Sequence, residues 1–197
     1  MMADRPINFS SPMVRALLSG RKTMARRLAV SPLAQSRPGD RLWVRESFAL
    51  ACGADGRRAD WPSADYALFK DGAIRFPEGR SRSVDRARAY RRAGWRPAFL
   101  MRRWVSRLTL LIEETRSCAL GEIDRADAIR EGPLAIPFAR GPLWIWPGLS
   151  VLPAFSPIDA VRASWRIERG TPGERWEDNP AVVVLGFRVE HRNIDEL

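Results

Sequence analysis

Histidine is nearly missing from this chain. Its 197 residues include one, His191, and the only cysteines are Cys52 and Cys118, far apart. So few soft ligands exclude a structural zinc site, and two distant cysteines make no disulfide framework. Long apolar runs are missing as well. The first thirty residues hold no stretch of signal-peptide type, and none approaches bilayer-spanning length. The expectation is a cytoplasmic chain with no membrane segment, no metal and no cofactor. Lysine is scarce too: of 33 Lys plus Arg only Lys22 and Lys70 are lysine, which leaves 31 arginines.

Hydrophobic residues make up 45%, with eight Trp and eight Phe, enough to build a core and to exclude a disordered basic tail. The formal net charge of +10 is unevenly spread. From Arg75 to Arg107 there are eleven Arg against two acids, Glu78 and Asp85, interleaved with Phe76, Tyr90, Trp95, Phe99 and Trp104. Guanidinium forks match phosphates and aromatic rings stack on bases, so the segment suits a nucleic-acid groove. It equally suits a solvated insertion in an arginine-rich chain.

Local signals give an α+β pattern. A short strand at 6–9 precedes a helix with Ser11 and Pro12 at its start, Met13, Val14, Leu17 and Leu18 on its apolar stripe, and Gly20 as its stop. This puts Arg21, Lys22 and Thr23 at a helix-to-strand junction. In PGDRLWVRES (38–47) the period of two sets Leu42, Val44 and Glu46 on one face, so an inward Leu42 and Val44 make Glu46 inward too. A basic insertion is expected at about 51–95 and a long strand at 106–120. Asp124 caps a helix running to Glu131 and ended by Gly132-Pro133, and Ser156-Pro157 starts another. Between these helices, a Pro- and Trp-rich loop at about 133–155 is expected to pack on its own side chains. The apolar run AVVVLGFRV (181–189) reads as a buried final strand.

GRKT after a short helix, PGDRLWVRE, a long strand, DAIREG and a last apolar strand, in that order, resemble the ASCH family of the PUA-like superfamily. INFSSPMVRALLSGRKTMARR, MRRWVSRLTL and WEDNPAVVVLGF are similar more narrowly to ASCH-like proteins of bacteriophages and prophages. The match spans most of the chain and fails mainly in 51–94 and 133–155. It implies one domain over residues 1–197, with a barrel-type mixed sheet flanked by short helices and carrying insertions. It also implies a cleft that takes RNA or a modified nucleobase.

Some members are amidohydrolases acting on N4-acetylcytidine and others are reported as ribonucleases. In the amidohydrolases the motif lysine falls on Lys22 and a helix glutamate on Glu131, but the threonine that follows falls on Ala25. A methyl group cannot be a nucleophile. Thr23, the remaining hydroxyl, stands about 7 Å from that position along a strand.

Lysine can lose its proton when desolvated and arginine cannot, so a base at this junction must be Lys22. Glu131, in a last helical turn, is either solvated or paired with a cation such as Lys22. Glu46 either accepts from a base edge or pairs with an arginine, and Arg45 shares that strand end. Trp104, flanked by Arg102, Arg103 and Arg107, suits a ligand-facing ring better than Trp43. The leading reading is a binding module. Arg21, Arg26, Arg45, Arg102, Arg103 and Arg107 hold phosphates, and Lys22, Thr23, Glu46 and Trp104 meet a base. Its partner is RNA or a modified nucleoside, with DNA not distinguished. An enzyme using Lys22, Glu131 and Thr23 and a phage morphogenesis protein with a protein partner are the alternatives.

Overall fold

A computed structural model describes residues 3–77 and 80–197, leaving Glu78, one of the two acids counted above, outside. The described residues form a mixed α+β structure of eleven strands and four α-helices. In chain order these are β1 (Asp4–Asn8), α1 (Ser11–Leu18), β2 (Met24–Leu28), β3 (Arg41–Arg45), β4 (Phe48–Cys52), β5 (Arg57–Arg58), β6 (Tyr66–Phe69) and β7 (Ile74–Arg75). They continue as α2 (Arg86–Arg92), β8 (Thr109–Ala119), α3 (Arg125–Arg130), β9 (Leu134–Ile136), β10 (Leu143–Ile145), α4 (Pro157–Glu168) and β11 (Ala181–Glu190). No helix among the described residues is long and apolar enough to cross a membrane.

The strands fall into three sheets, ordered β1-β3-β8-β11-β2, β10-β9 and β5-β4-β6-β7. The barrel-type sheet expected from the resemblance is therefore not a closed barrel. Closure would need the edge strands β1 and β2 to pair, and β1 carries Pro6, which has no N–H to give to a ladder.

The chain divides into two compact units. The first comprises the residues up to Arg5, Pro12–Arg41 and Leu110–Glu190; the second comprises Pro6–Ser11, Leu42–Thr109 and His191–Leu197. In the first, β11 pairs antiparallel with β2, from Val182 opposite Leu28 to Gly186 opposite Met24. Val182 through Phe187 are buried on both faces of β11, except that Gly186 has no side chain to bury. This is why that strand reads as an unbroken apolar run. Met24, Leu28, Leu120, Trp165, Val182 and Val184 form one core cluster. The 133–155 loop folds as the β9–β10 hairpin and buries Trp144 and Trp146, whose indole N–H donates to the Ala160 carbonyl at 3.0 Å.

In the second unit the expected insertion at 51–95 supplies most of a sheet. Alternate residues of β4 and β6 enter two cores: Phe48, Leu50, Ala67 and Phe69 in one, and Ala49, Ala51, Tyr66 and Leu68 in the other, where Ala89 of α2 joins them. Burial on both faces replaces the apolar/polar alternation that would have announced these strands. Helix α2 docks on the turn before β5, where Asp85 N–H donates to the Ala54 carbonyl at 2.9 Å. The approach is so close that a Cβ on Gly56 would lie 2.3 Å from Ala89 Cα, and Gly56 itself has φ +69°.

Gly56→Ala is therefore expected to lower the stability of the second unit by ~1–3 kcal/mol for the backbone conformation alone, with the overlap adding to that. Urea unfolding of the variant beside Gly72→Ala checks it. Gly72 also has positive φ but open space around its Cβ position. Equal losses in the two would mean that α2 is not pinned here.

Candidate functional site

Lys22 is 1% exposed, extraordinarily low for a lysine, and the fold brings it onto Glu131. The junction that carries it is set locally. Gly20 takes φ +71°, and the Lys22 N–H donates to the Ala16 carbonyl at 3.1 Å, folding 20–23 back over the end of α1. The Lys22 ammonium donates to Glu131 Oε2 at 2.7 Å and to the Glu131 carbonyl at 2.8 Å. Arg26, two residues into the next strand, spreads its fork over two carboxylates: Nη1 to Glu131 Oε1 at 2.9 Å and Nη2 to Asp127 Oδ2 at 2.5 Å. Arg116 also donates to Asp127. Asp127 and Glu131 stand one helical turn apart, so one guanidinium reaches both.

Burial pushes the Lys22 ammonium below its ordinary pKa; Glu131 opposes that shift and Arg27 adds to it. Desolvation alone would raise the Glu131 carboxyl, but Lys22 and Arg26 outweigh it and hold the group low. The site is thus an ionised lattice with its donors spent on its own acceptors. Arg26 Nε is the exception, buried without a protein partner. The adjoining indentation, lined in part by Arg27, Trp165, Glu168 and Arg169, is narrow.

The other residues assigned to this site divide. Arg21 closes over the end of α3, donating to the Gly132 carbonyl at 2.8 Å. Thr23 is held by its main chain, N–H to the Arg130 carbonyl at 2.9 Å, and its hydroxyl lies 3.5 Å from Arg130 Nε. Ala25 is fully buried. On a strand of period two it faces away from Met24 and Arg26.

Glu46 is part of a different cluster, in the second unit. Leu42, Val44 and Glu46 are all buried, as their spacing requires. Arg107 grips Glu46 with two bonds, 2.8 and 2.9 Å, and gives a third to Asp71 at 2.8 Å. Burial pushes the Glu46 carboxyl up, and the Arg107 bonds draw it part of the way back. Arg107 also lies 4.2 Å over the Phe69 ring. Glu46 is therefore an arginine partner.

The remaining assigned arginines are engaged as well. Arg45 donates to the Phe99 carbonyl and covers Trp43, Arg102 lies 4.6 Å over Trp61, and Arg103 pairs with Asp195. Trp104 packs edge-on against Trp61 at 5.5 Å, a hydrophobic contact and not an open platform.

The arginines left with open faces are others. On α2, Arg86, Arg88 and Arg91 are exposed and make no close ion pair with a carboxylate among the described residues, although Arg88 lies within electrostatic reach of Asp55. Arg91 and Arg92 line a surface depression together with Arg57 and Arg58 of β5. The sequence signal was RARAYRR beside GRR, two arginine pairs whose approach across the chain no spacing rule foretells. Asp127 was the other omission; its signal was the four-residue step to Glu131.

Among the described residues no group of three or more His, Cys, Asp or Glu could hold a metal ion. What the Lys22 lattice does is fasten α3 to β2. Removing one partner leaves the other charge buried, so Lys22→Met and Glu131→Gln should each cost about 3–5 kcal/mol in urea unfolding. The pH dependence has a definite sign. Glu131 is held below its ordinary value of 4.5, so its contribution is complete above that pH and is lost as pH falls through the lower folded value. Glu131→Gln should remove that part of the acid sensitivity. Unfolding midpoints that move in parallel for wild type and variant across the acid range would contradict it.

Comparison with protein-family models, with curated proteins and with solved structures finds no match for this chain.

Proposed function

We propose that this chain is a nucleic-acid-binding protein, a PUA-like module related to the ASCH-like proteins of phages, whose partner is RNA or another polyanion of the same backbone chemistry. The observation that carries the reading is the charge on α2. Arg86, Arg88 and Arg91 stand exposed on one seven-residue helix without a close ion pair to a carboxylate among the described residues. Like charges so close repel and destabilise the free protein, and a phosphate backbone relieves that repulsion by releasing counterions. Elsewhere the arginines are mostly neutralised, as at Arg75–Glu196, Arg82–Asp65 and Arg103–Asp195. The α2 surface departs from that pattern.

Binding of short RNA and DNA oligonucleotides, followed by fluorescence anisotropy, should weaken steeply with salt. The log–log slope should be near 0.7 per phosphate contact on single strands and about 0.9 on duplex. Absence of binding at low salt, or binding indifferent to salt, would remove the reading.

One observation favours an enzyme: Lys22 and Glu131 do touch, at 2.7 Å. Against it stands the buried methyl of Ala25 where the family's nucleophile would be. The wild-type chain is accordingly expected to release little or no acetate from N4-acetylcytidine. Brisk release, abolished by Lys22→Met in a folded variant, would put the amidohydrolase first.

A further inference from the structure

We propose that Arg57, Arg58, Arg91 and Arg92 form a cradle that grips the phosphodiester backbone of nucleic acid without reading its sequence. The inference rests on the nucleic-acid reading above and gives it a place. All four residues line one open depression of about 450 Å³ in the second unit, and among the described residues the lining is arginine alone. Among the described residues no aromatic ring lines it to stack on a base. Among the described residues the one carboxylate nearby, Asp55, is taken up by Arg92 and Arg57, so it is not left to accept from the amino groups of adenine or cytosine. A lining of guanidinium forks alone matches the paired oxygens of phosphates.

The cradle is built, not an accident of loose side chains. Two elements deliver two arginines each: β5 carries Arg57 and Arg58, and the last turn of α2 carries Arg91 and Arg92. Asp55 lies between them, 2.8 Å from Arg92 Nη1 and 3.8 Å from Arg57 Nε, and so orients one arginine from each side. Arg58 Nε donates to the Arg92 carbonyl at 2.8 Å, which ties its stem to the helix end. The docking of Ala89 on Gly56 sets the distance between the two elements. With one carboxylate among four guanidinium groups the depression keeps a surplus of positive charge. Arg57, with 70% of its side chain exposed, keeps most of its donors for a ligand.

The test uses the full chain and anisotropy with three labelled probes: a mixed-sequence oligonucleotide, a homopolymer, and a guanine-free sequence. The last is included because a guanidinium also pairs with the guanine edge. The variants are Arg57→Ala with Arg91→Ala, the charge-keeping Arg57→Lys with Arg91→Lys, and a control of equal charge change elsewhere, Arg37→Ala with Arg140→Ala. All four positions are exposed, so the variants should fold, and circular dichroism checks that they do.

The expected result is similar affinity for the three probes in wild type. The alanine pair should flatten the salt slope by about 1.4–1.8 units for two lost contacts. The lysine pair should lie between, and the control should match wild type. An alanine pair that behaves like the control overturns the cradle while leaving nucleic-acid binding standing. Weak binding of the guanine-free probe alone overturns sequence indifference. Displacement of the probes by poly-glutamate at equal charge concentration overturns the assignment to phosphates. No binding of any probe by wild type at low salt overturns both this inference and the reading it rests on.

Discussion

Arg26 sets the terms for the first unit. A buried guanidinium cannot shed its proton, so it must be surrounded by acceptors or the fold loses several kcal/mol. Asp127 and Glu131 supply them from successive turns of α3, and this fixes where that helix lies against β2. The constraint propagates. Glu131 can sit beside Arg26 only if its second oxygen is also satisfied, and Lys22 does that. Lys22 in turn passes so close to the end of α3 that a Cβ on Gly132 would be 2.9 Å from its own, and Gly132 has φ +107°. A glycine there meets both demands.

The same lattice explains the rare lysine. A compact ammonium can place two donors on one residue, the side chain and carbonyl of Glu131, where a planar fork would need a broader target. The cost of burying it shows in its lowered pKa. A group so committed holds an architecture together.

Arginine is used in three physically distinct ways. Arg26 and Arg107 are buried or nearly so and have carboxylate partners, and removing those partners would be expensive. A second group, including Arg166 with Glu177 and Arg175 with Asp178, makes surface pairs, which typically contribute 0–1 kcal/mol each. The third group, on α2 and β5, has only Asp55 against four clustered guanidinium groups, and its remaining repulsion is lowered by an outside anion. Counting arginines cannot separate these classes, because the class depends on what lies opposite.

The residues alone determined the α+β character and most element ends. Asp124 and Ser156 cap α3 and α4 through their own side chains, Gly20 and Gly132 stop helices with positive φ, and period two turned Glu46 inward. Each of these is a local matter, settled within a few residues by hydrogen bonding or backbone sterics. The ordered sheet inside 51–95 was hidden, since strands buried on both faces lose their alternation. What only the tertiary structure decided is the fate of each charge. Arg26 meets Glu131 across 105 positions and Arg107 meets Glu46 across 61, while Arg57 and Arg58 join Arg91 and Arg92 around one depression. A guanidinium carries the same charge everywhere along the chain; whether it becomes part of the scaffold or a free grip depends on which distant carboxylate the fold brings within 3 Å of it, or fails to bring.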